Sequence, residues 1–323
     1  MDRESLERNQ IPVYFACAVI AAIGGIVAPD AAGNLDVLVT PAIAVLMYAM
    51  FLQIPFLDLK QGLSNKAFIS AVLLSNFVLI PLLVWALTGG LDDHPALLVG
   101  ALLVLLTPCI DYVVVFTHLG KGDARLILAA TPVLLLLQLL LLPIYLSVMT
   151  GSEPGVVIAI APFVEAFLFL IVVPLLLAVT TAGLARRSVI VERWNAAWAW
   201  LPVPAMAVVL VVVIGSQIGS IVREIERLLP VIPVYIAFMV CAPLVGALTS
   251  RMFKLQAEAA RAVTFSSSTR NSLVVLPLAL ALPEEIRGLA AAAVITQTLI
   301  ELVSELVYVR VVPAFVWRAR KPL

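Results

Sequence analysis

Five charged residues, Asp111, Glu165, Arg270, Glu301 and Glu305, lie inside otherwise apolar runs of this chain. Two stretches gather most of the chemistry. The first, "LLTPCIDYVVVF" (105–116), sets a helix breaker, a thiol and a carboxylate at Pro108, Cys109 and Asp111, just after Thr107. The second, "SSSTRNSLVVLPL" (266–278), sets four hydroxyls, Ser266, Ser267, Ser268 and Thr269, ahead of Arg270 and Asn271. A charge at membrane depth costs at least ~2.5–3.5 kcal/mol, so it persists where it pairs or lines a polar cavity. Proline removes a backbone donor and breaks or kinks its helix, while serine and threonine hydroxyls can satisfy the carbonyls of an unwound turn. Pro108, Ser267 and Ser268 are therefore the expected helix-break residues. If the two breaks cross, Asp111 and Arg270 are placed to pair, and Thr107, Cys109, Thr269 and Asn271 complete a polar site. A thiol beside a half-helix N-terminus can be held as thiolate.

Blander roles suit other residues. Cys17 and Cys241 read as small core hydrophobes. Three cysteines, odd in number and far apart, make no disulfide framework. Glu301 and Glu305 share one helix face at i and i+4; one can lie near the interface and be merely solvated, and Glu305 fits that description better. Glu165 can snorkel to the outer surface. Asn76 and Gln138 read as helix–helix glue, and Gln297 as a supporting core residue. His94 and His118 do not form a metal cluster. No nucleophile–base motif, phosphate loop or nucleotide fingerprint is visible, so neither an enzyme nor a cofactor is expected.

The elements that position these residues follow from composition. Of 323 residues, 63% are hydrophobic and only 12% charged, with a mean hydropathy of +1.13. Soluble domains carry about 25% charged residues, so the solvent must be lipid. A bilayer core of ~30 Å needs about 20 apolar residues per helix, and long apolar runs satisfy their backbone as helices rather than as barrel strands. Ten runs qualify, near 12–29, 37–57, 66–88, 96–118, 124–149, 155–184, 196–217, 229–249, 262–282 and 286–312. The first is read as a span rather than a cleaved signal. Sixteen of the twenty Lys and Arg fall on one side, only Arg223, Arg227 and Arg287 on the other, and Arg270 within a span. Both termini and the loop at 185–193 are therefore expected in the cytoplasm. Five spans per half imply halves of opposite orientation, 1–154 and 155–323. Interrupted polar helices at equivalent places, spans four and nine, indicate a secondary transporter's site. "IGSIVREIERLLP" (218–230) reads as an amphipathic interfacial helix. Zero net charge without a basic block excludes nucleic acid as a partner.

At these residues the chain resembles the arsenical-resistance permeases, a branch of the bile acid:sodium symporter superfamily. "LTPCIDYVVVF" with the following "LGKGD" (119–123) is similar to that branch's Thr-Pro-Cys motif and glycine-acid turn. "TLIELV" (298–303) resembles its tenth-span segment with a membrane glutamate, which puts that role on Glu301. "IVVPLLLA" (171–178) and "NFVLIPLL" (76–83) are similar as well, though less specific. The resemblance implies a panel of spans 1, 2, 6 and 7 and a core of spans 3–5 and 8–10, with spans 4 and 9 broken and crossing. Departures accompany it. The ninth span reads "TRNSL" where arsenite permeases carry Asn-Asn with a nearby glutamate. The glutamate and glutamine cation ligands of the sodium-coupled branch are absent. Val133 and Leu134 replace a fifth-span Asn-Asp pair.

The expected function is export of arsenite or antimonite across the inner cell membrane by a multi-pass carrier, monomeric or homodimeric, in exchange for protons. Arsenic is thiophilic, which suits Cys109. Burial favours the neutral form of a carboxyl, which makes Glu301 the first choice of proton carrier, with Asp111 and Glu305 beside it. Arg270 supplies a fixed positive charge where related symporters hold sodium. The alternative is a sodium- or proton-coupled carrier of small organic anions, with Arg270 gripping a carboxylate bidentately.

Overall fold

The computed structural model describes residues 10–28, 32–53, 65–110, 112–150, 168–223 and 225–316. The predicted site residue Asp111, and Glu165, lie outside the described residues. The described chain is helical and contains no strand, apart from one isolated antiparallel bridge between Pro108 and Arg270. It divides into two compact units.

One unit holds α1 (Gln10–Val27), α2 (Asp36–Phe51), α7 (Val173–Ala185, entered through a π turn at Leu168–Val172), α8 (Val189–Trp198) and α9 (Pro202–Arg223). Here α9 lies against α1 and α2, and a Cβ at Gly25 would meet the Gly215 carbonyl oxygen at 2.5 Å. α2, α7 and α8 are tied by Tyr48, whose hydroxyl lies 3.0 Å from Thr181 Oγ1 and accepts from Trp194 Nε1 at 3.2 Å.

The other unit holds α3 (Lys66–Thr88), α4 (Pro95–Leu105), α5 (Val113–Leu119), α6 (Ala124–Met149), α11 (Val231–Met252), α12 (Ala257–Ser268), α13 (Ser272–Leu280) and α14 (Glu284–Phe315). A single turn, α10 (Ile225–Leu228), precedes α11. Asn65 caps α3 by accepting from the Phe68 N–H at 3.1 Å, and Asp123 caps α6 by accepting from Arg125 and Leu126. Inside α3 a π turn spans Ser75–Leu79. Pro81 cannot donate to the Phe77 carbonyl four residues back, and the Tyr145 hydroxyl of α6 donates to that carbonyl instead, at 2.6 Å. The widened turn coincides with Asn76, which is fully buried.

Among the described residues, four helices are long and apolar enough to cross a bilayer: Lys66–Thr88, Ala124–Met149, Val231–Met252 and Glu284–Phe315. The pair Val189–Trp198 and Pro202–Ser216, bent by 46°, makes a fifth candidate. The fourth and ninth runs are each split into two shorter helices, so neither passes as one continuous span.

Two sequence expectations change here. Residues 218–223 continue α9 instead of starting an interfacial helix, because no proline separates them from the apolar run. The loop expected at 185–193 is helical from Val189, and the following helix starts at Pro202, a residue suited to a first turn.

Candidate functional site

The first break lies between α4 and α5. Pro108 has no N–H for the Val104 carbonyl, which receives the Thr107 hydroxyl at 3.1 Å instead. The second break lies between α12 and α13 and contains no proline. Ser267 and Ser268 were expected to unwind; they are the last residues of α12. Their hydroxyls bond back to Val263 and Thr264, one turn earlier, which keeps them helical. The helix stops at Thr269, whose backbone is extended (φ −99°, ψ 130°).

The two breaks meet. The Cys109 N–H donates to the Thr269 carbonyl at 3.1 Å, and the Asn271 N–H donates to the Thr107 carbonyl at 2.9 Å. Two backbone donors freed by unwinding are thus satisfied by each other's strand, as buried backbone requires. Thr107, Cys109, Thr269, Arg270 and Asn271 are all buried at this bridge.

Arg270 is 0% exposed. Its Nη2 donates to Asn76 Oδ1 at 2.8 Å and to the Ser266 and Ser267 carbonyls at 2.7 Å each. Nη1 donates to the Leu105 carbonyl at 3.4 Å. The guanidinium therefore caps the C-termini of both α4 and α12, where unpaired carbonyls and the negative ends of two helix dipoles converge. The Phe238 ring lies beneath it, 5.6 Å from the guanidinium carbon, within cation–π range.

The carboxyls stand on α14. Glu301 receives the Arg270 backbone N–H at 3.1 and 3.0 Å, the Tyr112 hydroxyl at 2.7 Å, and the amide of Gln297. Tyr112, at the start of α5, also reaches the Arg270 carbonyl at 2.9 Å, which links the first break to the second. Glu305 lies 2.8 Å from Thr269 Oγ1. It is fully buried, which corrects its reading as the solvated glutamate: one turn beyond Glu301, its face of α14 still points at the break.

Asn76 connects α3 to the site, accepting from Arg270 and donating to Ser266 Oγ at 3.0 Å. Ser75 meets Ser267 at 2.6 Å beside it. Gln138 does not join them. It is buried on α6 with neither amide atom partnered among the described residues, so it is not helix–helix glue in this structure. Tyr112 and Phe238 went unnoticed in the sequence. Tyr112 stands three residues beyond Cys109 in the quoted motif, but an aromatic in an apolar run carries no polar signal of its own. Asp111, expected to face Arg270, lies outside the described residues; the carboxylate that Arg270 does touch, through its backbone N–H, is Glu301. Groups of three or more His, Cys, Asp or Glu able to hold a metal are absent among the described residues.

A family model, the Sodium Bile acid symporter family, matches residues 40–224, more than half of the chain. The match contains the first break and ends before the second, so Arg270 and both α14 glutamates lie beyond it. Among curated proteins none matches the chain significantly. The chain belongs to the Sodium Bile acid symporter family, whose members are multi-pass membrane transporters rather than enzymes.

Proposed function

We propose that this protein is a secondary active transporter that exports arsenite or antimonite in exchange for protons, by alternating access around the crossing of the two breaks. The observation that carries this reading is the position of Cys109: a soft sulfur ligand, buried, in the strand that joins the two unwound segments. A thiol there suits a thiophilic metalloid, and a lone sulfur gives a contact labile enough for release. Arsenite is a neutral hydroxide near pH 7, so its export against a gradient needs a driving ion. Arg270 already supplies a tethered cation among protein oxygens at the crossing, which favours protons over sodium. The organic-anion alternative needs that guanidinium for the substrate. Both of its terminal nitrogens are instead engaged by Asn76 and backbone carbonyls.

In this reading the ten spans form two inverted repeats, 1–154 and 155–323. The unit of α3–α6 and α11–α14 is the core, and the unit of α1, α2 and α7–α9 is the panel. Both termini are cytoplasmic in the inner membrane, and the carrier works as a monomer or homodimer. Cys109→Ser tests the substrate while sparing packing, because oxygen is nearly isosteric with sulfur but a hard ligand. Arsenite resistance of cells carrying that variant at normal membrane levels should collapse, while Cys17→Ser and Cys241→Ser keep it. Full protection by Cys109→Ser excludes sulfur as the ligand.

A further inference from the structure

The two buried glutamates of α14 have different kinds of partner, and the difference separates their roles. Glu301 faces two N–H groups, the Arg270 backbone amide and the Gln297 side-chain amide, together with the Tyr112 hydroxyl. An N–H can only donate, so these two groups suit an acceptor-only carboxylate, and hydrogen bonds made to the charged form favour it. The Arg270 guanidinium next to them supplies the compensating positive charge. Glu305 faces no N–H among the described residues. Its Oε1 lies 2.8 Å from Thr269 Oγ1, and its Oε2 has no partner among the described residues.

A hydroxyl both donates and accepts. Thr269 Oγ1 also lies 2.7 Å from the Phe265 carbonyl, to which it donates. One hydroxyl proton cannot serve both oxygens. With Glu305 protonated, its O–H donates to Thr269 Oγ1, which donates to Phe265. With Glu305 ionised, the Thr269 hydroxyl turns to donate to the carboxylate. The Phe265 carbonyl is not stranded by this, since it keeps the Thr269 N–H at 3.0 Å. Either protonation state of Glu305 is therefore satisfied without moving the backbone. At Glu301 the Tyr112 hydroxyl can turn in the same way toward the Arg270 carbonyl, but the two N–H groups beside it still favour the ionised carboxylate, and Glu305 has no such donors among the described residues.

We propose that Glu305, with Thr269 as its reorienting partner, is the carboxyl that takes up and gives off the exchanged proton, and that Glu301 stays ionised as the fixed counter-charge of Arg270. This rests on the proton-exchange reading and departs from the sequence expectation, which favoured Glu301. The proton comes from solution on one face of the membrane as the carboxylate becomes the neutral acid, and leaves to solution on the other as the carboxylate returns. The titratable groups that act on Glu305 are Glu301 and Tyr308 on α14; Arg270, with Tyr112 and Cys109 about it, acts on Glu301. Thr269 also carries the carbonyl that receives the Cys109 N–H. One residue thus touches the proton site with its side chain and the strand of the proposed metalloid ligand with its backbone, which gives exchange a short route.

The test reads the proton directly. In purified protein in lipid nanodiscs, pH-difference infrared spectra should show the C=O stretch of a protonated carboxyl growing as the pH falls. Glu305→Gln should abolish that band, Thr269→Val should shift its frequency by removing the hydrogen-bond partner, and Glu301→Gln should leave it in place. A band that survives Glu305→Gln overturns the proposal, as does one lost only in Glu301→Gln. If Glu301→Gln fails to fold, the first two variants decide. In vesicles, Glu305→Gln should reduce arsenite accumulation driven by a pH gradient to the level of empty vesicles. Should the parent protein move no arsenite, the substrate reading fails, and the infrared band still decides which glutamate holds the proton.

Discussion

The guanidinium of Arg270 occupies the point where two helices end with their carbonyls bare. Water would ordinarily satisfy such carbonyls, but the site is closed to solvent, so a tethered cation takes that place with Glu301 as its counter-charge. Removing one of two compensating buried charges is destabilising, because the other is left uncompensated. Arg270→Met and Glu301→Gln should each lower the melting temperature of the purified protein in detergent. The double substitution should be milder than the two single effects added together. Strict additivity would mean that the two groups do not compensate each other. At this scale the sequence was legible for residue types that are conspicuous in lipid: Cys109, Arg270 and Glu301 are all at the crossing. The partners were less so. Asn76 meets Arg270 from 194 residues away, and Gln138, equally polar and buried, makes no such contact, so polarity alone does not separate a participant from a bystander.

Helix packing around the breaks depends on small residues that admit close approach. A Cβ at Gly246 of α11 would come within 2.7 Å of the Thr264 Cα on α12, a backbone atom that cannot step aside. Overpacking of this kind costs typically ~1–3 kcal/mol. Gly246→Ala should therefore destabilise the protein and disturb the half-helix that carries Ser267 and Ser268. Gly288→Ala in α14 meets nothing within 4 Å and should be neutral or slightly stabilising. Thermal melts of both variants check the contrast; equal melting temperatures would contradict it. The break at Pro108 could be suspected from the chain because proline removes a backbone donor, although Pro132 and Pro143 leave α6 continuous. The second break could be bounded only loosely, since hydroxyls can either continue a helix by bonding one turn back or leave it. Here three of them continue it and Thr269 ends it. The helix at Val189–Trp198 was hidden by its charges, Glu192 and Arg193, which read as loop but lie exposed on a helix.

For the molecule as a whole, hydropathy and the asymmetry of Lys and Arg carry the membrane reading, and four long continuous helices among the described residues fit it by length and composition. The apolar runs near 37–57 and 196–217 were harder to delimit, because Pro41 lies inside α2 and a separate helix, Val189–Trp198, precedes α9. If both termini are cytoplasmic, Ser188, between α7 and α8, faces the cytoplasm. A cysteine introduced there, in a chain with Cys17, Cys109 and Cys241 replaced, should react with an impermeant maleimide only after the cells are opened. Ready labelling of intact cells would reverse the orientation.

The central claim is that the crossing moves a neutral metalloid against protons without sodium. Arsenite uptake into everted membrane vesicles tests it most directly, because export from the cell becomes uptake into the vesicle. With an acidic lumen and sodium-free buffer, vesicles bearing the protein should accumulate arsenite well above vesicles without it, and a protonophore should abolish the difference. Accumulation that appears only when sodium is added, or uptake no greater than in control vesicles, would contradict the account.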